Sequence, residues 1–229
     1  MDTLLARGLA GFGARDRDVA RITGPRAGEI GRLLEAYADE ITLFNPALGL
    51  VGAKDRRELI VKHILDSLAP LGPVARLLEE AAGSGNAPVA DVGSGAGLPG
   101  IPLAIALPRA RFTLIERMGR RAGFLRNALA VLGIGNAEVE EKDLERAAKG
   151  RFSLAVFRAF RPLEPALFRA LSGILAPDGA LAAWKGRRAV IDAELAALGG
   201  ALDGFRVEIH STPVPFLDEE RHVVLIRRS

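Results

Sequence analysis

A chain of 229 residues, 49% hydrophobic and 26% charged, fits one large domain or a domain with an extension, enough to bury about 70% of its unfolded surface. It has no cysteine, which excludes disulfides, thiolate metal sites, iron–sulfur clusters and any cysteine nucleophile, and with them methylation at a pyrimidine C5. Three dispersed histidines argue against a metal centre, and a net charge of +3 is too small to indicate nucleic acid unless the cations cluster.

The N-terminus has no basic n-region and no cleavage pattern, and no apolar run approaches the ~20 residues that span a bilayer. The expectation is a mature, cytoplasmic protein with no membrane partner. Residues 1–87 read as a helical extension: Ile30, Leu33, Leu34, Tyr37 and Ile41 recur at helical spacing, as do Leu59, Ile60, Ile64, Leu65 and Leu68. Residues 81–88 form a small-residue linker. Residues 88–229 then alternate short β-branched runs with helices. Strands are predicted at 89–92, 111–115, 138–141, 154–157 and 180–184, with helices at 99–107, 120–132, 162–175 and 189–198. That alternation gives an α/β fold with a parallel sheet. Two further strands, 205–210 and 222–227, are joined by a loop with Pro213 and Pro215. No helix fits between them, so the last strand is expected to run antiparallel.

The first strand opens into Asp91–Gly100, DVGSGAGLPG. Its glycines permit a tight turn and close approach of a ligand, and the following helix N-terminus offers free N–H groups. Two frames fit. Gly95, Gly97 and Gly100 match GxGxxG of dinucleotide sites, while DxGxGxG from Asp91 resembles motif I of S-adenosylmethionine (SAM) methyltransferases. In both, Glu116 stands where an acid takes ribose hydroxyls. Only 129 residues follow Gly100, too few for a separate dehydrogenase substrate domain, and an antiparallel final strand is what the class I SAM-dependent methyltransferase (Rossmann-like) sheet looks like.

HILDSL (63–68), the glycine loop, RFTLIERMGRRAGFLRNAL (111–129), FRAF (157–160), AWKG (183–186) and ERHVVLIR (220–227) occur in order. Together they resemble the RsmG (GidB) family of 16S rRNA guanine-N7 methyltransferases. The resemblance implies SAM as cofactor and 16S rRNA, a 30S subunit or an assembly intermediate as partner, with no metal. Nothing in the sequence demands more than a monomer. It implies that Gly93 and Leu98 line the SAM site, that Gly95 and Gly97 allow close approach, that Glu116 holds the ribose and that Leu144 and Glu145 face the adenine. It places Arg158 at the reaction centre, as both a catalytic and a cofactor-binding residue. Residues 49–51, Gly, Leu and Val, replace the family's usual Asn, Leu, Thr.

By their residue types alone, Leu144 reads equally as core and Glu145 as part of a solvated charged run. Arg158, set among apolar residues, needs a partner in protein or ligand. His63 and Asp66, three apart on a helix, suit an interdomain hydrogen bond or a face that closes the cleft and seats RNA. Guanine N7 carries a lone pair and no proton, so its methylation needs positioning rather than a general base. The (D/N)PP(Y/F) loop of amine methyltransferases is absent; FRAFRPL stands there. For RNA, the candidate cations are Arg117, Arg120, Arg121 and Arg126, then Lys185, Arg187 and Arg188, with Arg161, Arg227 and Arg228. With aromatics at 5%, base stacking cannot form a broad platform. The alternatives at this point are an NAD-dependent oxidoreductase and a non-catalytic rRNA-binding assembly factor.

Overall fold

The computed structural model describes residues 3–82, 87–159 and 161–229. Half of the expected linker, residues 83–86, and Phe160 of FRAF lie outside them.

The extension is helical: α1 (Leu4–Arg15), α2 (Arg17–Thr23), α3 (Ala27–Leu48), α4 (Arg56–Leu59), a π-helical turn (Ile60–Leu65), α5 (Asp66–Leu68) and α6 (Leu71–Ala82). Thr3, Asp16 and Asp55 start α1, α2 and α4 by accepting backbone N–H groups, the usual work of an N-cap oxygen. Gly49, at φ 56°, ends α3 in the left-handed region, where glycine has no Cβ penalty. The departure at residues 49–51 is therefore accommodated locally. Leu50 is buried, and Asn45 both donates to and accepts from the Val51 backbone, at 3.0 and 2.9 Å.

The rest is a seven-stranded sheet. Its strands are β1 (Pro88–Val92), β2 (Arg111–Ile115), β3 (Ala137–Glu140), β4 (Phe152–Arg158), β5 (Leu175–Lys185), β6 (Phe205–Ser211) and β7 (His222–Arg228), in the order β3-β2-β1-β4-β5-β7-β6. β1 to β5 are parallel, and β7 runs antiparallel to both β5 and β6. The expected antiparallel last strand is present, inserted between β5 and β6 rather than at the sheet's edge. The helices are α7 (Gly100–Ala106), α8 (Gly119–Leu132), α9 (Pro165–Ile174) and α10 (Arg188–Leu198).

In the sheet domain most boundaries fall within two residues of expectation, and two starts differ by more. α9 begins at Pro165 rather than Pro162, because Glu164 before the proline is extended (φ −94°, ψ 161°), as steric contact with a following proline ring favours. β5 begins at Leu175, before a register shift against Phe152 and Leu154. A Cβ on Gly179 there would stand 2.7 Å from the Phe152 carbonyl oxygen, so that bend accepts only glycine.

Strand side chains alternate between two cores. On one face, Phe112, Leu114, Leu154, Val156 and Val223 pack with Leu34, Tyr37, Ile41, Ile64 and Leu65 of the extension. On the other, Phe152, Phe157 and Leu181 pack with Phe168, Leu171 and Ile174 of α9 and Ile191 of α10. The extension thus shares a core with the sheet it covers. Among the described residues, no helix is long and apolar enough to cross a membrane.

Candidate functional site

The carboxyl ends of β1, β2 and β3 open onto a cleft of about 390 Å³, within the ~300–1,000 Å³ range of small-molecule sites. Gly93, Glu116, Met118, Leu144, Glu145 and Ala159 are among the residues that line it. Open parallel sheets bind ligands outside these strand ends because the connections diverge there.

The glycine loop folds over a buried carboxylate. Asp91 is fully buried at the end of β1; its Oδ2 accepts from the Ser94 hydroxyl at 2.5 Å and the Gly100 N–H at 3.0 Å. Its Oδ1 is buried without a hydrogen-bond partner among the described residues. Burial pushes this carboxyl up to about 6, against the lowering effect of those two donors and of the Arg158 charge. From outside, Tyr37 of α3 donates its hydroxyl to the Ala96 carbonyl at 2.5 Å. Burial raises the Tyr37 phenol well above its ordinary value, with the Asp91 charge adding to the effect, so it remains a donor.

The loop glycines have separate reasons. Gly93 (φ 68°) and Gly95 (φ 60°) are left-handed, and the Gly95 N–H donates to Glu116 Oε2 at 2.9 Å. A Cβ on Gly97 would stand 2.5 Å from Ile101 Cδ1, and one on Gly100 would stand 2.5 Å from Asp91 Oδ2. In the literal GxGxxG match, internal packing therefore accounts for Gly100, while Gly97 combines close packing with a left-handed φ of 90°. Gly97 and Leu98 are not among the cleft-lining residues, and Leu98 is buried in the core shared with the extension.

Glu116, 5% exposed, accepts from the Gly95 N–H and, through Oε1, from the Met118 N–H at 2.8 Å. Each carboxylate oxygen accepts more than one donor, so the group suits two vicinal hydroxyls. Leu144 and Glu145 begin the 3-10 turn Leu144–Arg146 that forms another wall. A buried carboxylate at Glu116, apolar Leu144 and Ile115, and a loop free of Cβ atoms at Gly93 have the chemistry that an adenosyl group requires.

Arg158 ends β4 but lies outside the cleft lining. Its guanidinium donates to Asp66 Oδ2 at 2.9 Å and to the Lys62 carbonyl at 3.1 Å, and Nη2 lies 3.3 Å from His63 Nδ1. Asp66 also accepts from Arg221 Nε at 3.0 Å, and its backbone carbonyl accepts from Trp184 Nε1 at 3.2 Å. Burial, then the Arg158 charge, holds His63 down at about 4, so it is neutral near pH 7. The expected sharing of a face by His63 and Asp66 is realised in this clasp, where the extension grips the ends of β4 and β5 and the segment before β7. Sequence reasoning missed Asp91 as the loop's organiser, whose partners Ser94 and Gly100 are close in the chain but whose burial is set by the fold, and it missed Tyr37 and Arg221, whose partners Ala96 and Asp66 lie 59 and 155 residues away.

The candidate RNA cations divide by pairing. Arg126, Arg161, Lys185, Arg188 and Arg227 form salt bridges with Glu141, Glu145, Glu194, Asp192 and Glu80. Arg117 and Arg121 line the cleft. Among the described residues, Arg120 and Arg121 donate only to the carbonyls of Ala47 and Gly49, both at 3.4 Å.

Residues 30–224 match the family model described as GidB, rRNA small subunit methyltransferase G. A relative from Treponema pallidum, "Ribosomal RNA small subunit methyltransferase G", is 38% identical over 216 residues, covering 91% of this chain and 90% of its own. Among solved structures, a predicted O-methyltransferase from Agrobacterium tumefaciens is 27% identical with a TM-score of 0.52, covering 68% of this chain and 80% of its own. A SAM dependent methyltransferase from Aquifex aeolicus has the same fold at 17% identity and a TM-score of 0.51, covering 71% of this chain and 93% of its own.

Proposed function

The chain belongs to the GidB family of small-subunit rRNA methyltransferases, and from that premise we propose that it methylates guanine N7 in 16S rRNA, using SAM held in the cleft at the ends of β1 to β3. The observation that carries the reading is Glu116: a buried carboxylate at a strand end, tied to the glycine loop through Gly95 and lining the same cleft as Leu144 and Ala159.

In this reading residues 1–87 act as a helical extension and residues 88–229 as the methyltransferase domain. Glu116 accepts the two ribose hydroxyls, Gly93 admits the cofactor's backbone-facing side, and Leu144 with Glu145 borders the base. Gly95 fixes Glu116, while Gly97 and Leu98 set the loop's shape from the core side. SAM supplies an electrophilic methyl group. Guanine N7 attacks without losing a proton, so this chain's task is to hold the base in line and exclude water. Arg158 orients the reactants from the end of β4: Asp66 and the Lys62 carbonyl fix its guanidinium, and the next residue, Ala159, lines the cleft. Retention of full methyl transfer by Arg158→Ala would remove this role. Arg117, Arg120 and Arg121 take RNA phosphates at the cleft mouth.

The test is transfer of a labelled methyl group from SAM to naked 16S rRNA and to 30S particles. The expected product is cut at one guanine after borohydride and aniline, the signature of N7 methylation; a labelled strand that stays intact would refute the N7 assignment. Glu116→Gln is expected to weaken cofactor binding by about tenfold or more, since hydrogen bonds to a charged group are worth roughly 1.5–3 kcal/mol.

A further inference from the structure

The loop between β6 and β7 carries a side chain that the fold does not explain. The Leu217 N–H donates to the Val214 carbonyl at 3.2 Å, closing a turn over Val214, Pro215, Phe216 and Leu217. Pro215 occupies the second position and Phe216 the third, at φ 68°. This is the pattern of a type II turn, whose third position favours glycine. A bulky aromatic at positive φ is strained, and burial does not repay it. Phe216 is 46% exposed and, among the described residues, the only aromatic in the set of exposed large hydrophobic residues that also includes Leu43, Met118, Val131 and Val190. Its neighbours anchor the turn: Val214 is buried, and Pro215 packs against α1 at Gly11.

We propose that Phe216 stacks an unpaired nucleobase of the RNA substrate, with Lys54 and Arg57 beside it to take flanking phosphates; the proposal rests on the rRNA-methyltransferase reading. Three observations point there. First, the loop lies at the carboxyl edge of the sheet, because β6 ends at Ser211 opposite His222, and His222 pairs with Lys185 at the end of β5. The same loop reaches the clasp at Arg221, five residues and at most about 18 Å from Phe216. Second, the ring borders a depression lined by Lys54, Arg57, Lys62, Val61 and Leu217, and the Arg7 guanidinium lies 5.6 Å from its centroid.

Third, the acids around the depression are mostly engaged. Asp55 caps α4, and Glu58 and Glu219 both bind Lys62. Glu220 accepts from the Arg188 N–H. Asp218 is the loop's remaining carboxylate, while Lys54 and Arg57 form no salt bridge among the described residues. An aromatic face with cations at its rim matches a nucleobase and its phosphates, since every base has a π-face. A single stacking residue also agrees with a chain too poor in aromatics for a platform.

The experiment compares Phe216→Ala, Phe216→Gly and Phe216→Trp with the wild type for 16S rRNA affinity, KM for rRNA, SAM affinity, oligomeric state and Tm. Loss of the ring is expected to weaken RNA binding and raise KM for rRNA about tenfold, the scale of one base–aromatic stack, with SAM affinity unchanged. Phe216→Trp should stay within about twofold of wild type. Phe216→Gly should raise Tm, because glycine relieves the turn, while still losing RNA affinity; a purely structural side chain would not separate the two. Wild-type RNA affinity in both Phe216→Ala and Phe216→Gly would overturn the stacking role alone. So would a change of oligomeric state in place of an RNA defect, which would assign the ring to a second copy of the chain. A wild-type enzyme that neither binds nor methylates rRNA would overturn the underlying reading, and the stacking role with it.

Discussion

The cleft and the clasp each bury an aspartate at the carboxyl edge of the sheet, and they compensate it in opposite ways. Asp91 beneath the cleft receives only neutral donors, a hydroxyl and an amide, and keeps one oxygen unpartnered among the described residues. Asp66 in the clasp receives two guanidinium groups. A buried charge with incomplete pairing is driven toward its neutral form, whereas one held between two cations locks the elements that supply them. The glycine loop therefore folds over an incompletely paired carboxyl, and the clasp is a joint.

The largest expected effect comes from opening the joint. Asp66→Ala leaves Arg158 and Arg221 without their shared carboxylate, and such a loss from a buried pair costs about 3–5 kcal/mol. Urea unfolding measures it; a loss below about 1 kcal/mol would show that the clasp is a surface contact in solution.

The two regions should also answer pH with opposite signs. The Asp91 carboxyl lies at about 6 in the fold against 3.8 when free, so its contribution is fully present below about pH 4 and is lost as pH rises through about 6. The corresponding linkage is on the order of 3 kcal/mol. His63 lies at about 4 against 6.5; its contribution is present above about pH 6.5 and is lost as pH falls through about 4. Plots of Tm against pH should show the contrast between pH 4 and 6. Asp91→Asn should remove a falling component and His63→Gln a rising one of comparable size. Changes of slope with the same sign in both variants would break the comparison.

The smallest effect is at the link from the extension to the cleft. Tyr37→Phe removes the hydroxyl that holds the Ala96 carbonyl and is expected to cost about 1 kcal/mol, with SAM affinity falling more than rRNA affinity. Calorimetric titration with each ligand checks that order.

The features legible in the chain are those whose signals are local. The glycine loop declares itself because left-handed backbone at Gly93 and Gly95 needs residues without a Cβ. Glu116 is found by its offset from that loop. The βα alternation gives the sheet class, and the missing helix between 211 and 222 gives the antiparallel final strand. The π-helical turn at Ile60–Leu65 has no such mark, since its apolar residues suit an ordinary helix equally well. Arg158 announces only that it needs a partner. That the partner is Asp66, 92 residues earlier, follows from the docking of the extension onto the sheet.

By itself, the sequence determined the α/β class, the glycine loop and the acid at Glu116 beside it, because backbone sterics and hydrophobic periodicity act within a few residues. Tertiary structure decided which cations remain unpaired, that Gly97 and Gly100 serve packing, that β7 inserts between β5 and β6, and that Arg158 faces the extension. Those outcomes depend on burying charge and apolar surface between segments distant in the chain. Asp66 meets Arg221 across 155 residues because the shared core of extension and sheet brings them together.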